Sequence, residues 1–378
     1  NLKEGMVLAK DITTPSGQVV LEKGKELTKQ SILRLSFYNI KSACIVDGEE
    51  KQAAPKSYSQ KIKTSQKFQS FQVDHTIVLS QIRVSFEGYV NEGKPLDTSA
   101  LLSKVVELFQ SCKTSLELFN MLHNMHSSDD SVYVHSLNVS LICRQIGKWI
   151  KADDATLDML TLAGLLHDIG NPPFGHFGEV VIGDWFKSHL DRLSYKGRPL
   201  SQWLDRQMKA DLCHFEGNAQ ALRLLTKVYR VDSAFGMDLM PAVLNTLVKY
   251  PVDSTRVDKA SADVKLHKLG YYKAEEALFG ALASATGTRT VEGFCRHPLT
   301  YILEAADDIA YATADLEDAY KKGLFTLDEF ERFFRDTLEA KKDDWGLNGG
   351  QVKKSAEMID ELTRLRERES SSMAAFQR

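Results

Sequence analysis

The chain has 378 residues, of which 43% are hydrophobic and 26% charged, and a formal net charge of −3. This is the composition of a globular protein, and the length is enough to bury one large core or two smaller ones. The weak negative charge argues against a general nucleic-acid or membrane surface, so an anionic ligand would need a local basic cluster. No apolar run approaches ~20 residues, which argues against a transmembrane helix. Five scattered cysteines without a CxxC motif indicate a reducing cytoplasm.

The first 58 residues predict a small α+β unit. The segments VLAKDI and VVLEKG read as strands, and Pro15 and Gly17 supply the backbone angles of a turn between them. Thr28 is a candidate cap for the helical segment KQSILRLSFYNI, and SACIV predicts a further short strand. The polar, proline-containing segment KQAAPKSYSQK that follows predicts a linker.

From about residue 60 the apolar side chains recur at helical spacing, which predicts a mainly α protein. We expect a helical linker over 59–126, an all-helical domain over 127–345, and a charged helical or disordered tail over 346–378. Asp154 is the expected N-cap of the helix that runs through DATLDMLTLAGLLHDIG. The predicted helical segments of the two middle regions are SALLSKVVELFQSCKTSLELFNMLHNM, SVYVHSLNVSLICRQIGKWI, GEVVIGDWFKSHL, FEGNAQALRLLTKVY, MPAVLNTLVKY, HPLTYILEAADDIAYATADLEDAYKKG and TLDEFERFFRDTLEAKK.

A cluster of titratable residues among chain breakers lies at the centre of the sequence, in HDIGNPPFGHFGE. A divalent metal needs several nitrogen or oxygen ligands that converge from different elements. His167 and Asp168 end an apolar helix, where the chain opens and the two side chains can face one ion. His135, on the helix before, is the candidate third ligand, and Asp307 is the fourth.

The segment EAADDIAYATADLED places Asp307, Tyr311 and Asp315 at i, i+4 and i+8, so they share one helix face. Acidic residues within an otherwise apolar helix are costly unless they are paired or bind a metal. Each element also has a simpler interpretation. The acidic face could be solvent-exposed, His167 and Asp168 could be a capping or salt-bridged pair, and His135 could be a core histidine. Taken together, the His…His-Asp…Asp pattern favours a metal site.

The same pattern resembles the signature of the HD superfamily of metal-dependent phosphohydrolases. From about residue 166 to the C-terminus, the chain resembles the bacterial deoxyguanosine triphosphate triphosphohydrolases, or dGTPases. The motifs that carry this resemblance are HDIGNPPFGHFGE, DLCHFEGNAQALR, LVKY, KLGYY and EAADDIAYATADLEDA. Residues 1–170 instead resemble HD-GYP proteins, which cleave cyclic di-GMP, and the two likenesses meet in the shared HDIG element. A natural or an artificial junction of the two families would produce this arrangement.

Each resemblance has a departure. Asn171 stands where the HD-GYP pattern has lysine, and the GYP motif itself is absent. The arginine-rich N-terminal segment and the TQV-type stretch of the dGTPases are also absent. Three functions are therefore open at this point: a dGTPase, a cyclic di-GMP phosphodiesterase, and a non-catalytic regulator that binds a nucleotide.

The dGTPase resemblance implies hydrolysis of a dNTP, with dGTP favoured, to a deoxynucleoside and inorganic triphosphate. It implies a Mn²⁺ or Mg²⁺ cofactor, with iron as an alternative. His176 is the candidate acid for the 5′ oxygen of the sugar, because histidine titrates near neutrality. Glu179 would orient the imidazole of His176; alternatively, Glu179 lies in the first turn of the next helix and stabilises the helix dipole.

The resemblance also assigns substrate contacts. Lys249 and Tyr250 of LVKY match phosphate-contacting positions, although alone Lys249 would read as a solvated helix end. The remaining candidate substrate-binding residues are Glu216, Asn218, Tyr311 and Asp315. The implied partners are the nucleotide substrate, further copies of the chain in a homo-oligomer, and single-stranded DNA as an effector, with no membrane.

Overall fold

The computed structural model describes residues 2–13, 19–29, 31–32, 35, 40, 42–46, 58–125, 132–228 and 239–368. The chain forms two compact units, Asn1–Lys56 and Ser57–Arg378, which are described separately below. The turn expected at Pro15 and Gly17 lies outside the described residues, as do most of the predicted linker and the end of the predicted tail.

The N-terminal unit contains a small antiparallel sheet of two strands, β1 (Ile12–Thr13) and β2 (Val19–Leu21). Isolated bridges join Val7 to Glu26 and Leu8 to Ile45. The buried side chains of this unit form a core of their own, made of Leu8, Ile12, Val20, Leu21, Leu27 and Leu35. Strand positions therefore fall within both segments that the sequence predicts as strands.

The second unit is mainly helical, as predicted. Its described helices are α1 (Tyr58–Lys63), α2 (Gln66–Glu92), α3 (Thr98–Gln110), α4 (Ser115–Asn124), α5 (Val132–Trp149), α6 (Asp154–Leu166), α7 (Gly175–His189), α8 (Arg206–Cys213), α9 (Gly217–Arg223), α10 (Pro241–Thr246), α11 (Glu276–Ala285), α12 (Pro298–Lys321), α13 (Leu327–Lys341) and α14 (Gly349–Arg368). Two hairpins of two-residue strands accompany them, β3 (Ser194–Tyr195) with β4 (Arg198–Pro199) and β5 (Arg289–Thr290) with β6 (Gly293–Phe294).

The core of this unit is built around α5 and α6, which pack side by side, and α12 packs against both. Leu137 and Leu141 of α5 and Leu160 and Leu165 of α6 are almost fully buried. The segment 59–126 supplies further buried side chains to this same core. Close packing of α5 and α6 is possible because Gly164 has no side chain: a Cβ there would lie 2.7 Å from the Cα of Ser140. The helices that carry the predicted metal ligands are therefore central elements.

Two local predictions differ from the structure. The N-cap of α6 is Asp153, whose side chain accepts from the amide of Thr156, and Asp154 is the first helical residue. The segment predicted as helical from Ser99 onward is interrupted between α3 and α4, where Thr114 caps α4 by accepting from the amide of Glu117. Threonine and serine compete for backbone hydrogen bonds, so they can end and restart a helix without glycine or proline.

In the part of the chain that the structure describes, no helix is both long and apolar enough to cross a membrane. The five cysteines are free thiols.

Candidate metal centre

The end of α6 carries His167 into the interior of the helical unit. The helix ends at Leu166. A short non-helical segment follows, and Pro172 and Pro173 come next, where proline prevents the helix from continuing. His167 is 1% exposed. Its Nδ1 donates to the carbonyl oxygen of Gly164 at 2.8 Å, which leaves Nε2 as the nitrogen that faces the neighbouring groups. A buried imidazole held this way has its Nε2 atom fixed in one direction.

Three side chains from three helices meet at that nitrogen. The Nε2 atom of His135 on α5 lies 2.9 Å from Oδ1 of Asp307 on α12. The Nε2 atom of His167 lies 3.6 Å from the same oxygen. One ligand atom from each of the three residues lies within 4.8 Å of the others. The cluster could therefore hold a metal ion.

Asp168 lies beside this cluster. One carboxylate oxygen is 3.4 Å from Nε2 of His167 and the other is 3.9 Å from Nε2 of His135. Ligands bound at ~2.1 Å to one ion stand roughly 3 to 4.2 Å apart, and the measured separations fall in or very near that range. The Nε2 atom of His167 has no hydrogen-bond partner among the described residues, although it is buried. A buried nitrogen without a partner is costly, and a cation would satisfy it.

The charges at this cluster are balanced by Lys249. Its Nζ donates to Oδ2 of Asp307 at 2.7 Å, so the two oxygens of that carboxylate face different groups. Burial alone would raise the pKa of Asp307, but the imidazoles of His135 and His167 and the charge of Lys249 hold it well below its usual range. Burial opposes the charge of Lys249, yet Asp307 raises the pKa of that lysine. Lys249 is thus not a solvated helix end; its side chain is only 13% exposed.

The aromatic candidate Tyr311 also contacts the cluster. Its ring lies 4.1 Å from that of His135, centroid to centroid, although the residue is half exposed. Asp315, four residues further along α12, is exposed. Tyr250 follows Lys249, and the guanidinium of Arg296 lies over its ring at 5.4 Å. The predicted acidic face of α12 is therefore mixed: Asp307 points into the interior and Asp315 is in solvent.

A second cluster surrounds the candidate acid. Nδ1 of His176 is 2.8 Å from Oε2 of Glu179, and the imidazole of His176 is 81% exposed. Oε1 of Glu179 accepts from the amide of Gly217, the first residue of α9, at 2.7 Å. Glu179 is the fifth residue of α7 and lies beyond its first turn, which was the alternative interpretation of this residue. Its carboxylate joins the candidate acid to another helix.

The other two candidates of this region, Glu216 and Asn218, contact each other. Nδ2 of Asn218 donates to Oε1 of Glu216 at 3.1 Å. Glu216 is buried, and its carboxylate also pairs with Lys268 at 3.1 Å. Sequence reasoning assigned no role to Lys268, although the residue opens the KLGYY motif; the motif was the one signal that could have drawn attention to it.

The chain between the two clusters packs closely on α9. A Cβ on Gly170 would lie 2.2 Å from both the carbonyl oxygen of Gly217 and the amide of Ala221, so only glycine fits there. Phe174, just before α7, has a left-handed backbone with φ of 67° and a side chain that is 86% exposed. Bulky residues avoid this conformation, and such strain is typical of functional segments.

Comparisons with known proteins point to the same part of the chain as the candidate metal centre. Residues 132–227 match the HD domain family. A deoxyguanosinetriphosphate triphosphohydrolase-like protein of Listeria innocua is 43% identical over 223 residues, which cover 55% of this chain and 47% of that protein. A probable deoxyguanosinetriphosphate triphosphohydrolase of Pseudomonas aeruginosa is 40% identical over 203 residues, or 50% of this chain and 39% of its own.

A deoxyguanosinetriphosphate triphosphohydrolase of Enterobacter sp. is 38% identical over 238 residues, which cover 53% of this chain and 45% of that protein. The chain thus spans about half the length of the curated relatives it matches. The predicted resemblance to the dGTPase branch of the HD superfamily is confirmed, and the match at residues 132–227 identifies an HD domain in this chain.

Proposed function

We propose that the protein is a metal-dependent phosphohydrolase that converts a dNTP, with dGTP favoured, into a deoxynucleoside and inorganic triphosphate. One observation carries the proposal. The buried Nε2 of His167, fixed by the bond from Nδ1 to Gly164, points without a partner at His135 and Asp307 within an HD domain. The similarity to relatives named for dGTP triphosphohydrolysis supports the substrate class.

We assign the metal to His135, His167, Asp168 and Asp307. When bound, Mn²⁺ or Mg²⁺, or alternatively iron, supplies Lewis-acid polarisation of a phosphate oxygen and activation of a water. The nitrogen and oxygen donor set is compatible with each of these ions. Oδ2 of Asp307 is held by Lys249, which fixes the direction of the other oxygen, Oδ1, toward the two imidazoles.

The leaving group needs a proton, because the 5′ oxygen of a sugar is a poor leaving group. We assign that proton to His176, whose exposed imidazole can reach a bound substrate. Glu179 accepts from Nδ1 of His176, so the opposite nitrogen, Nε2, faces outward to deliver the proton. The amide of Gly217 holds the second oxygen of Glu179 and fixes the direction of this pair.

The substrate contacts follow the dGTPase resemblance. Lys249 and Tyr250 would bind phosphate oxygens, and Tyr311, beside His135, would place its hydroxyl near the same group. Asp315 would accept from the 3′-hydroxyl of the sugar. Glu216 and Asn218 already bond to each other and would contact substrate with their remaining hydrogen-bonding capacity.

We also propose a homo-oligomer and a response to single-stranded DNA. The exposed apolar side chains of Phe177, Val181 and Trp185 lie along α7 and offer a surface for self-association. Light scattering would give the mass of the assembly, and a change of turnover on adding an oligonucleotide would show the effector. The DNA response rests on the resemblance to the dGTPases.

The test is a product analysis. The Mn²⁺-loaded protein is incubated separately with dGTP and with cyclic di-GMP, and the products are identified by phosphorus NMR. We expect inorganic triphosphate from dGTP. Linear pGpG from the cyclic dinucleotide would instead support the HD-GYP alternative. Ligand-induced stabilisation without product from either would support a non-catalytic regulator.

A pair of histidine variants tests the assignment of the acid. We expect His176→Ala to bind Mn²⁺ as the parent does and to lose about 10²- to 10⁴-fold in turnover. The matched control is His189→Ala, because His189 is the last residue of the same helix and contacts Trp185 and Ser188. Equal losses of metal and activity in His176→Ala would mean that His176 is a metal ligand.

A further inference from the structure

The KLGYY segment, residues 268–272, contributes a cation to the cluster around the candidate acid. Nζ of Lys268 lies 3.1 Å from Oε1 of Glu216 and 3.8 Å from Oε2 of Glu179. Both carboxylates are buried, whereas Lys268 is partly exposed. Lys268 therefore bridges two acidic side chains that belong to different elements, α7 and the residue before α9.

The oxygen of Glu179 that faces Lys268 is the same oxygen that contacts His176. Oε2 of Glu179 lies 2.8 Å from Nδ1 of His176, and Oε1 is engaged by the amide of Gly217. Lys268 thus reaches the candidate acid through a single intervening atom. A change in the charge of Lys268 would act directly on the group that orients the imidazole.

Glu216 is enclosed on several sides. Besides Lys268, its carboxylate faces Asn218 and the charge of Glu179, and the hydroxyl of Tyr272 bonds to its backbone. Burial and then the charge of Glu179 raise the pKa of Glu216, and Lys268 opposes this shift. Lys268 is therefore the cation that offsets the burial of the Glu216 carboxylate, and its loss would raise the pKa of Glu216 further.

The backbone of the segment is held in place independently of Lys268. A Cβ on Gly270 would lie 2.0 Å from the carbonyl oxygen of Tyr250, so the chain passes directly over the LVKY segment. The hydroxyl of Tyr272 accepts from the amide of Glu216 and donates to its carbonyl oxygen. The lysine is therefore presented to the carboxylates by a segment that is anchored at Gly270 and at Tyr272.

We propose that Lys268 is a positioning residue that holds the carboxylates of Glu179 and Glu216 together, so that Glu179 can keep His176 in the direction needed for proton transfer. The inference rests on the proposed function only in the role given to His176. The arrangement of charges around Lys268 is a separate claim and can be tested without any turnover.

The first test measures thermal stability against pH for Lys268→Met, Lys268→Arg and the parent. Lys265→Met is the matched control, because Lys265 is close in the chain and pairs with the exposed Asp263. An acid with a raised folded pKa stabilises the protein at low pH, and this contribution is lost as pH rises. Removing Lys268 raises the pKa of Glu216 further, so the deficit of Lys268→Met must grow with pH.

We expect the melting temperature of Lys268→Met to fall further below the parent at pH 7.5 than at pH 5, by about 2 to 4 °C more. Lys268→Arg keeps the positive charge and should remove most of that difference, and Lys265→Met should show none. A deficit of equal size at both pH values would mean that the side chain of Lys268 only packs, which would overturn the proposal.

The second test measures turnover of dGTP. We expect Lys268→Met to lower kcat at pH 7.5 by about 10- to 100-fold and to leave KM within about 3-fold, because Lys268 positions the acid and does not touch substrate. Lys268→Arg should recover most of kcat. A rise in KM with an unchanged kcat would overturn the positioning role. If the parent yields no product, the proposed function fails, and the stability test still decides the role of Lys268.

Discussion

The close approach of α5 and α6 at Gly164 gives the sharpest test of how the fold supports the candidate metal centre. In Gly164→Ala, the new Cβ would lie 2.7 Å from Cα and 2.9 Å from the amide nitrogen of Ser140. These are backbone atoms and cannot turn aside as a side chain can. An ordinary contact requires the helices to separate by about 0.7 Å.

The expected loss of stability in Gly164→Ala is the difference between two opposing effects. Overpacking of a core typically costs about 1 to 3 kcal/mol, and alanine recovers up to ~1 kcal/mol over glycine within a helix. We therefore expect a net loss of about 1 to 2 kcal/mol, which lowers the melting temperature by about 2 to 6 °C. The carbonyl of Gly164 also orients His167, so Mn²⁺ affinity should fall by about 10-fold or more.

Two further glycines provide a graded control, measured by thermal unfolding and by calorimetric titration with Mn²⁺. The atoms nearest to a Cβ on Gly147 of α5 would be methyl groups of Leu157 and Leu160, at 2.6 and 3.0 Å. The ends of these side chains can move, so a smaller loss of stability is expected. A Cβ on Gly280 of α11 would meet nothing within 4 Å, so that alanine should be neutral or stabilising. If Gly164→Ala matched Gly280→Ala in stability and the parent in metal affinity, the packing argument would be refuted.

Two other predictions concern stability alone. Burial lowers the pKa of His75 to about 4 in the folded protein, against 6.5 in the unfolded chain. As the pH drops, the unfolded state therefore binds the proton first. The free energy of unfolding should fall by up to ~3 kcal/mol between pH 6.5 and pH 4. His75→Leu should flatten this slope in denaturant titrations; equal slopes in His75→Leu and the parent would contradict the assignment. Phe174→Asn should raise stability by about 1 kcal/mol, because asparagine tolerates the left-handed backbone and the ring of Phe174 buries little surface; a lower melting temperature would show that the ring makes a stabilising contact.

Much of the fold could be predicted because helical periodicity is a local property of the chain. The segments around α5, α6 and α12 carry apolar residues at helical spacing, and their helices lie where that spacing indicates. The break between α3 and α4 was missed because it depends on a serine and a threonine, which are tolerated inside many helices. Its signal was the spacing of Thr114 and Glu117, an N-terminal capping pattern.

The contacts of the candidate site likewise include some that the sequence predicts and one that it does not. His176 and Glu179 are three residues apart on one helix, so their contact follows from helical geometry. The contact of His135 with Asp307 joins residues 172 positions apart, and chemistry suggested it because acidic groups in apolar helices need a partner. The bridge from Lys268 to Glu216 joins residues that are 52 positions apart in the chain. Nothing about a lysine next to a turn distinguishes that pairing from a solvated side chain.

The position of the candidate metal centre relative to the cluster around His176 is set by α9 more than by the chain that connects them. The connection from Ile169 to Phe174 contains two prolines and a left-handed residue, and its own hydrogen bonds are short turns. The first turn of α9 contacts both this connection and α7: the carbonyl of Gly217 packs against Gly170, and the amide of Gly217 donates to Glu179. A single residue thus touches the segment that follows the candidate metal ligands and the partner of the candidate acid. A Cβ on Gly217 would lie 2.3 Å from Oδ1 of Asn171 and 3.0 Å from Oε1 of Glu179, so a substitution there would first shift these two side chains, one on each side of the connection.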